Sequence, residues 1–246
     1  MRIILYGYTG RMGQMLVSLL AKHPEHEIAA YVAIDSNLEN DRCYRSLADC
    51  SAEADVLIDF SNHASAKEIT EWCVSHKMPA VICTTGHDAD EKQMIRDASE
   101  TIPVFLSANM SIGIAVLARI AREAVKMFPD ADIEIVEKHH NQKLDVPSGT
   151  ALLLADAIKE ERSESEYVIG RHENGKRRKE EIGIHSLRLG SEVGTHEIYI
   201  HTGNECLTLS HEAQSRAVFA DGALAAAEYL ITCGPGLYNM NNMIAK

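Results

Sequence analysis

One segment limits the fold more than any other: Arg2-Ile3-Ile4-Leu5-Tyr6, then Gly7-Tyr8-Thr9-Gly10-Arg11-Met12-Gly13, then an amphipathic stretch from Gln14 to Lys22. A short apolar run reads as a strand and helically spaced apolar residues as a helix, so the glycines mark the turn between them. Glycine permits a tight turn, lets backbone approach a pyrophosphate without obstruction and lets the helix pack closely on the strand. The helix start adds amide donors and a dipole that favours an anion. A second apolar run, 28–34, ends in Asp35, about twenty residues beyond the last glycine, where a carboxylate suits ribose hydroxyls. The expected ligand is therefore a dinucleotide. Asp35 repels a 2′-phosphate and Ser36 follows it, which leans towards NADH; Arg42 or Arg45 leaves NADPH open.

The alternation continues. Residues 54–60 read as a strand, a helix opens at Ser61-Asn62-His63 and runs towards His76, 79–84 is a strand, 90–100 a helix and 103–107 a strand. Strands separated by helices of this length imply an α/β fold with a doubly wound, parallel Rossmann-type sheet, whose ligand edge lies at the carboxyl ends of the strands. Ser61, Thr84, Thr85, Gly86 and Ser107-Ala108-Asn109-Met110 fall on that edge. After Asn109 the pattern changes. A helix at 112–127, a strand at 132–136 and a helix at 151–161 lead into strands at 181–189, 196–202 and 206–211. Few crossover helices intervene, which predicts a second α+β domain on a mixed or antiparallel sheet. An alanine-rich helix, 214–231, ends at Gly234-Pro235-Gly236 and returns to the first domain. The expected division is 1–109 plus 216–246 for the dinucleotide, and 110–215 for the substrate.

Chemistry gathers in Glu137-Lys138-His139-His140-Asn141-Gln142-Lys143-Leu144-Asp145-Val146-Pro147-Ser148-Gly149-Thr150. Ser148 is a good N-cap, and the amides of Gly149, Thr150 and Ala151 open a helix, a place to hold a carboxylate or phosphate. Lys143 adds positive charge, and His139 and His140 stand at a strand end with the side chain best suited to proton transfer near neutrality. His139 and Lys143 are expected on an exposed loop. No metal is expected, because consecutive histidines on a strand face opposite sides and the six cysteines form no C-x-x-C pair. The charge run 174–181 reads as a solvated loop, with attraction of an acidic substrate as the other option. A formal net charge of −12 excludes nucleic acid as the main partner. No removable apolar segment follows Met1 and no run reaches membrane-spanning length, and unpatterned cysteines fit a reducing cytoplasm. At 246 residues the chain can bury one large core or two modest ones.

Together with Cys83-Thr84-Thr85-Gly86, Ser107-Ala108-Asn109-Met110-Ser111, and Ile182-Gly183-Ile184-His185-Ser186 with Arg188, these segments resemble the 4-hydroxy-tetrahydrodipicolinate reductase family, also called dihydrodipicolinate reductases. The resemblance runs in order along nearly the whole chain. It implies reduction of a cyclic, imine-containing dicarboxylate by NADH or NADPH on the diaminopimelate route to lysine, by a cytoplasmic homotetramer built on the second domain. It makes His139 the proton donor or acceptor and Lys143 a proton donor, with His140, Ser148, Gly149 and Thr150 at the substrate. Gly7, Tyr8, Thr9, Gly10, Arg11, Met12, Asp35, Cys83, Thr84, Thr85, Ser107, Ala108, Asn109 and Met110 then match cofactor contacts. Two departures stand out. Cys83 replaces a usual glycine, and the basic residue that often follows the acidic one after the second strand is absent.

From the residues themselves, hydride from a nicotinamide at the sheet edge would meet an acceptor held by Gly149, Thr150 and Lys143, while His139 or Lys143 supplies a proton. Joints near Asn109 and Arg216 suggest closure of the two domains, with Arg216 meeting a ligand only then. Two other classes stay open: a different two-domain nicotinamide dehydrogenase, and a non-catalytic dinucleotide sensor, for which His139 and Lys143 would have no use.

Overall fold

A computed structural model describes residues 1–38 and 40–245; Glu39 and Lys246 lie outside the described residues. In chain order the elements are β1 (Arg2–Tyr6), α1 (Arg11–Leu20), β2 (Glu27–Val32), β3 (Cys43–Tyr44), β4 (Val56–Asp59), α2 (Ala66–His76), β5 (Ala80–Ile82), α3 (Ala89–Ser99) and β6 (Pro103–Leu106). They continue as α4 (Ile112–Met127), β7 (Asp132–His139), α5 (Gly149–Lys159), β8 (Glu166–Ile169), β9 (Glu181–Arg188), β10 (Thr195–His201), β11 (Cys206–Glu212), α6 (Ala217–Leu230), β12 (Gly236–Tyr238) and α7 (Met240–Ile244). The chain divides into two compact units, Met1–Ser111 with Arg216–Lys246, and Ile112–Ser215. Met110 and Ser111, expected in the second, belong to the first.

The first unit is a parallel sheet in the order β12-β6-β5-β4-β1-β2-β3. The order runs outward from β1 in one direction and from β4 in the other, so the reversal falls between those two strands, where such sheets bind ligands. Every residue of β4 is buried, as is all of β1 after Arg2. That apolar reading, broken only at Asp59, is what a strand covered on both faces requires. Helix α1 starts at Arg11, earlier than expected, because Gly10 serves as its N-cap and the turn residues form its first coil. Helix α3 is entered through a capping box between Asp88 and Glu91, which fixes the loop after β5.

The second unit has a five-stranded mixed sheet, order β11-β10-β7-β9-β8, with β10 antiparallel to β7 and β11, and β9 parallel to β7 and β8. Ile133 and Ile135 on β7, Ile182 and Ile184 on β9, and Ile198 and Ile200 on β10 form one buried face against Leu117, Ala121 and Val125 of α4 and Leu154 and Ile158 of α5. Burying each isoleucine contributes about 1.5–3 kcal/mol. A one-residue slip of β7 would turn Glu134, Val136 and Lys138 inward instead, so this row fixes the register. The same inward phase continues past the isoleucines into Glu137 and His139, both buried.

Candidate active site

At the end of β1, Gly7 has φ +84, and a Cβ there would lie 2.7 Å from the Phe60 carbonyl and the Ser61 nitrogen. A Cβ on Gly13 would lie 2.3 Å from the Gly7 oxygen. No side chain fits at either place. Gly10 is less demanding, its nearest contact being 3.4 Å. The turn is held by Gly7 N to Val32 O (2.7 Å) and by Gln14 Nε2 to Tyr8 O (2.8 Å). Thr9 Oγ1 donates to Asp35 Oδ1 at 2.7 Å, tying the turn to the loop after β2. Tyr8 is buried with its hydroxyl 2.9 Å from Ser36 Oγ. Arg11 and Met12 begin α1. Arg42 bonds Glu27 and the Ile28 carbonyl, whereas Arg45 donates to the Ser36 carbonyl at 3.1 Å and so sits beside the Asp35 loop.

Further along the same edge, Asp59 ends β4, buried, and accepts from Ser61 N and Ser61 Oγ at 2.8 and 2.5 Å. Burial pushes its carboxyl pKa up against these bonds. Burial, then the neighbouring Asp59, pushes the Cys83 thiol up as well, so Cys83 is a neutral thiol and no nucleophile. Thr84 is buried and Thr85 exposed. The loop after β6 is closed by Ser107 Oγ to Asn109 O (2.7 Å) and Ser111 N to Asn109 Oδ1 (2.8 Å), with Ala108 exposed. Met110 is buried, and its carbonyl oxygen would lie 1.7 Å from a Cβ on Gly222 of α6. Gly222 therefore supports this loop, a role invisible in a glycine set among alanines.

In the second unit the last residues of β7 form a polar cluster. Glu137 receives Arg188 through both guanidinium ends (2.9 and 3.0 Å), the Ser148 amide (3.2 Å) and His139 Nδ1 in a short hydrogen bond. Burial works against its ionisation, but the bonds from His139 and Arg188 outweigh it and hold the carboxyl at about 2. Strand pairing explains the meeting: His139 lies opposite Arg188 on β9, and Glu137 opposite His196 on β10. His139 is thus a buried strand residue, 8% exposed, and not part of an exposed loop as expected. The cause is the inward phase of β7.

His196 is also buried, its ring centroid 5.2 Å from that of His139 and 75° to it. Burial, then the neighbouring His139, holds its pKa down to about 3, so it is neutral at pH 7. Its Nε2 lies 3.1 Å from Ser148 Oγ, which also accepts from Ala151 N as the α5 cap. Ser148 and the Ala151 amide are accordingly occupied in building the helix start, and Gly149 and Thr150 stand at its tip. His140 follows the strand end, half-buried. Lys143 is held by Asp145 at 2.8 Å with about a fifth of its side chain accessible (21%). Arg188 also bonds the Asp145 carbonyl (2.8 Å), anchoring the loop that carries Lys143. A Cβ on Gly194 would lie 3.0 Å from His139 Nε2. Glu137, Arg188, His196 and Gly194 received no role from the sequence. Only the inward phase of β7 hinted at Glu137, since the others depend on pairing between distant strands.

Three of the four cations in the charge run 174–181 are ion-paired. Arg177 pairs with Asp132 and Glu134, Arg178 with Glu166 and Glu181, and Lys179 with Asp130; Glu181 itself is buried in β9. Among the described residues no group of three His, Cys, Asp or Glu is placed to hold a metal, and no helix is long and apolar enough to cross a membrane.

The family model for the dihydrodipicolinate reductase N-terminus matches residues 1–110, and that for the C-terminus matches 113–244. A 4-hydroxy-tetrahydrodipicolinate reductase of Caldanaerobacter subterraneus subsp. tengcongensis is 45% identical over 247 residues, covering 100% of this chain and 98% of that one. One from Clostridium tetani is 44% identical, covering 99% and 96%. Among solved structures, a dipicolinate-bound dihydrodipicolinate reductase from Paenisporosarcina sp. TG-14 superposes with a TM-score of 0.83 at 26% identity, covering 98% of both chains. With both of its units matched and full-length relatives above the level at which kinship is in question, the chain belongs to the dihydrodipicolinate reductase family.

Proposed function

We propose that the chain reduces 4-hydroxy-tetrahydrodipicolinate to tetrahydrodipicolinate with NADH or NADPH, on the diaminopimelate route to lysine. One hydride and one proton enter and one water leaves. The observation that carries this is the concentration of an imidazole, an ammonium and a helix start within residues 137–150, in a chain whose other unit has a turn where Cβ atoms at Gly7 and Gly13 would strike backbone. That turn fits a pyrophosphate, and Asp35, joined to Thr9, fits a ribose. A nicotinamide cofactor bound there supplies hydride.

The chain's own residues do the rest. Gly149 and Thr150, with Lys143, receive the carboxylates of the substrate, and the Ser148 cap keeps that helix start in shape. His140 lines the same place. Charge builds on the substrate as it is reduced, and His139 or Lys143 holds the proton that neutralises it. On the cofactor side Gly7, Gly10, Arg11, Met12, Thr9 and Asp35 line the turn, with Cys83, Thr84, Thr85, Ser107, Ala108 and Asn109 along the sheet edge. Tyr8 and Met110, being buried, contribute through backbone. The family likeness supports a cytoplasmic homotetramer, for which sedimentation should give four chains.

The Paenisporosarcina enzyme binds dipicolinate, which makes this flat pyridine dicarboxylate the analogue to use here. In a spectrophotometric assay, NADH and NADPH should be oxidised when freshly generated 4-hydroxy-tetrahydrodipicolinate is added, with dipicolinate competing against that substrate. Oxidation with other imino or carbonyl acids alone would make the chain another dehydrogenase. Cofactor binding without turnover on any acceptor would make it a sensor.

A further inference from the structure

We infer that Glu137 is a positioning residue for the reduction: it fixes the His139 ring so that Nδ1 keeps a proton turned into the core and Nε2 becomes the atom that gives or takes one. This rests on the reading of His139 as the proton-transfer group. An ionised carboxylate only accepts hydrogen bonds, so the bond between Glu137 Oε2 and His139 Nδ1 requires the proton on nitrogen. The carboxylate cannot rotate away. Arg188 grips both oxygens and the Ser148 amide adds a third hold on Oε1. The β7–β9 register supplies the guanidinium, since Arg188 lies opposite His139.

The far side of the ring is arranged to match. Nε2 points at Gly194, the residue before β10, where a Cβ would come within 3.0 Å. His196 stands edge-on to the ring and limits its tilt. The charged and titratable groups facing the pair are Arg188 from β9, His196 from β10 with His211 of β11 behind it, and Lys143 and Asp145 from the loop after β7; the N-cap residue of α5 contributes the Ser148 amide.

The decisive test begins with the intact wild-type protein. Nitrogen NMR of the His139 ring should show the neutral form protonated at Nδ1. Glu137→Gln should lower kcat on the order of 10²-fold with KM for NADH unchanged, and Glu137→Asp should restore part of the loss. In a His139→Ala background Glu137→Gln should cost nothing more. Gly194→Ala, which leaves Glu137 and Arg188 in place, should lower kcat without changing NADH affinity. A neutral ring protonated at Nε2, or an equal loss from Glu137→Gln with and without His139, would overturn the inference. Full turnover in His139→Ala would instead overturn the functional reading, while the NMR result would still stand or fall by itself.

Discussion

The glycine turn at 7–13 and the polar stretch at 137–150 are built on opposite principles. The turn works through missing side chains: Cβ atoms at Gly7 or Gly13 would collide with backbone, and what remains is amides and space. The polar stretch is crowded: Glu137, His139, Arg188, Ser148 and His196 satisfy one another in the core of the second unit. A site made of backbone tolerates no added atom, whereas a site made of side chains tolerates no lost partner. Damage to one should therefore look different from damage to the other.

The largest difference should come from His139→Ala. Turnover should fall about 10²- to 10⁴-fold in steady-state assays, the range for loss of a proton-transfer group. Because His139 is a buried donor to Glu137, urea unfolding should also show a loss of about 1–3 kcal/mol. Gly13→Ala comes next. Its Cβ would sit 2.3 Å from the Gly7 oxygen, so the turn must shift at a cost of about 1–3 kcal/mol. Calorimetry should find NADH weakened roughly tenfold or more by a cost of that size, and dipicolinate unaffected. Equal weakening of both would erase the contrast between the two regions.

The two units should also respond oppositely to acid. His196 has a folded pKa near 3 against an ordinary value of 6.5, so the unfolded chain binds its proton first and stability is lost as pH falls from 6.5 towards 3. Glu137, held at about 2 against 4.5, adds a further loss as pH falls through that lower window. Asp59 in the first unit is raised, so its contribution is greatest at low pH and is lost as pH rises. Urea titrations across pH should show a net fall of about 1–3 kcal/mol on acidification, at about 1.4 kcal/mol per pKa unit reduced by compensation. His196→Gln should flatten its upper part, and Asp59→Asn should raise stability near neutrality. The smallest effect belongs to Asp35→Ala, which should weaken NADH about fivefold more than NADPH, the worth of roughly one hydrogen bond. Equal loss of both cofactors would show that Asp35 does not read the ribose.

Much of the fold was legible because local pattern sufficed. β1, α1, β4 and β6 announce themselves by apolar runs and glycine punctuation, and the loss of crossover helices after α4 announces a mixed sheet. β3 and β12, two and three residues long, carry no period to read and form only by adding to existing edges. β8 was missed because its residues are half-exposed and lean on β9 for their pairing. At the site, Ser148 reads correctly as a cap, but its link to His196 joins a helix start to a strand far away in the chain. The run 174–181 reads correctly as a solvated loop, but its pairing does not show, because its partners Asp130, Asp132 and Glu134 lie more than forty residues earlier. Sequence shows the charges; only folding shows which are already paired.

The central claim is that residues 139–143 carry the proton chemistry while the glycine turn carries the cofactor. Lys143 is the cleanest place to test it, since its ammonium is partly accessible and bonded to exposed Asp145, so little of the core depends on it. The measurement is single-turnover NADH oxidation by Lys143→Ala with freshly generated 4-hydroxy-tetrahydrodipicolinate, after saturation with cofactor. A rate lower on the order of 10²-fold with unchanged NADH affinity is expected. A wild-type rate in the folded variant would contradict the account.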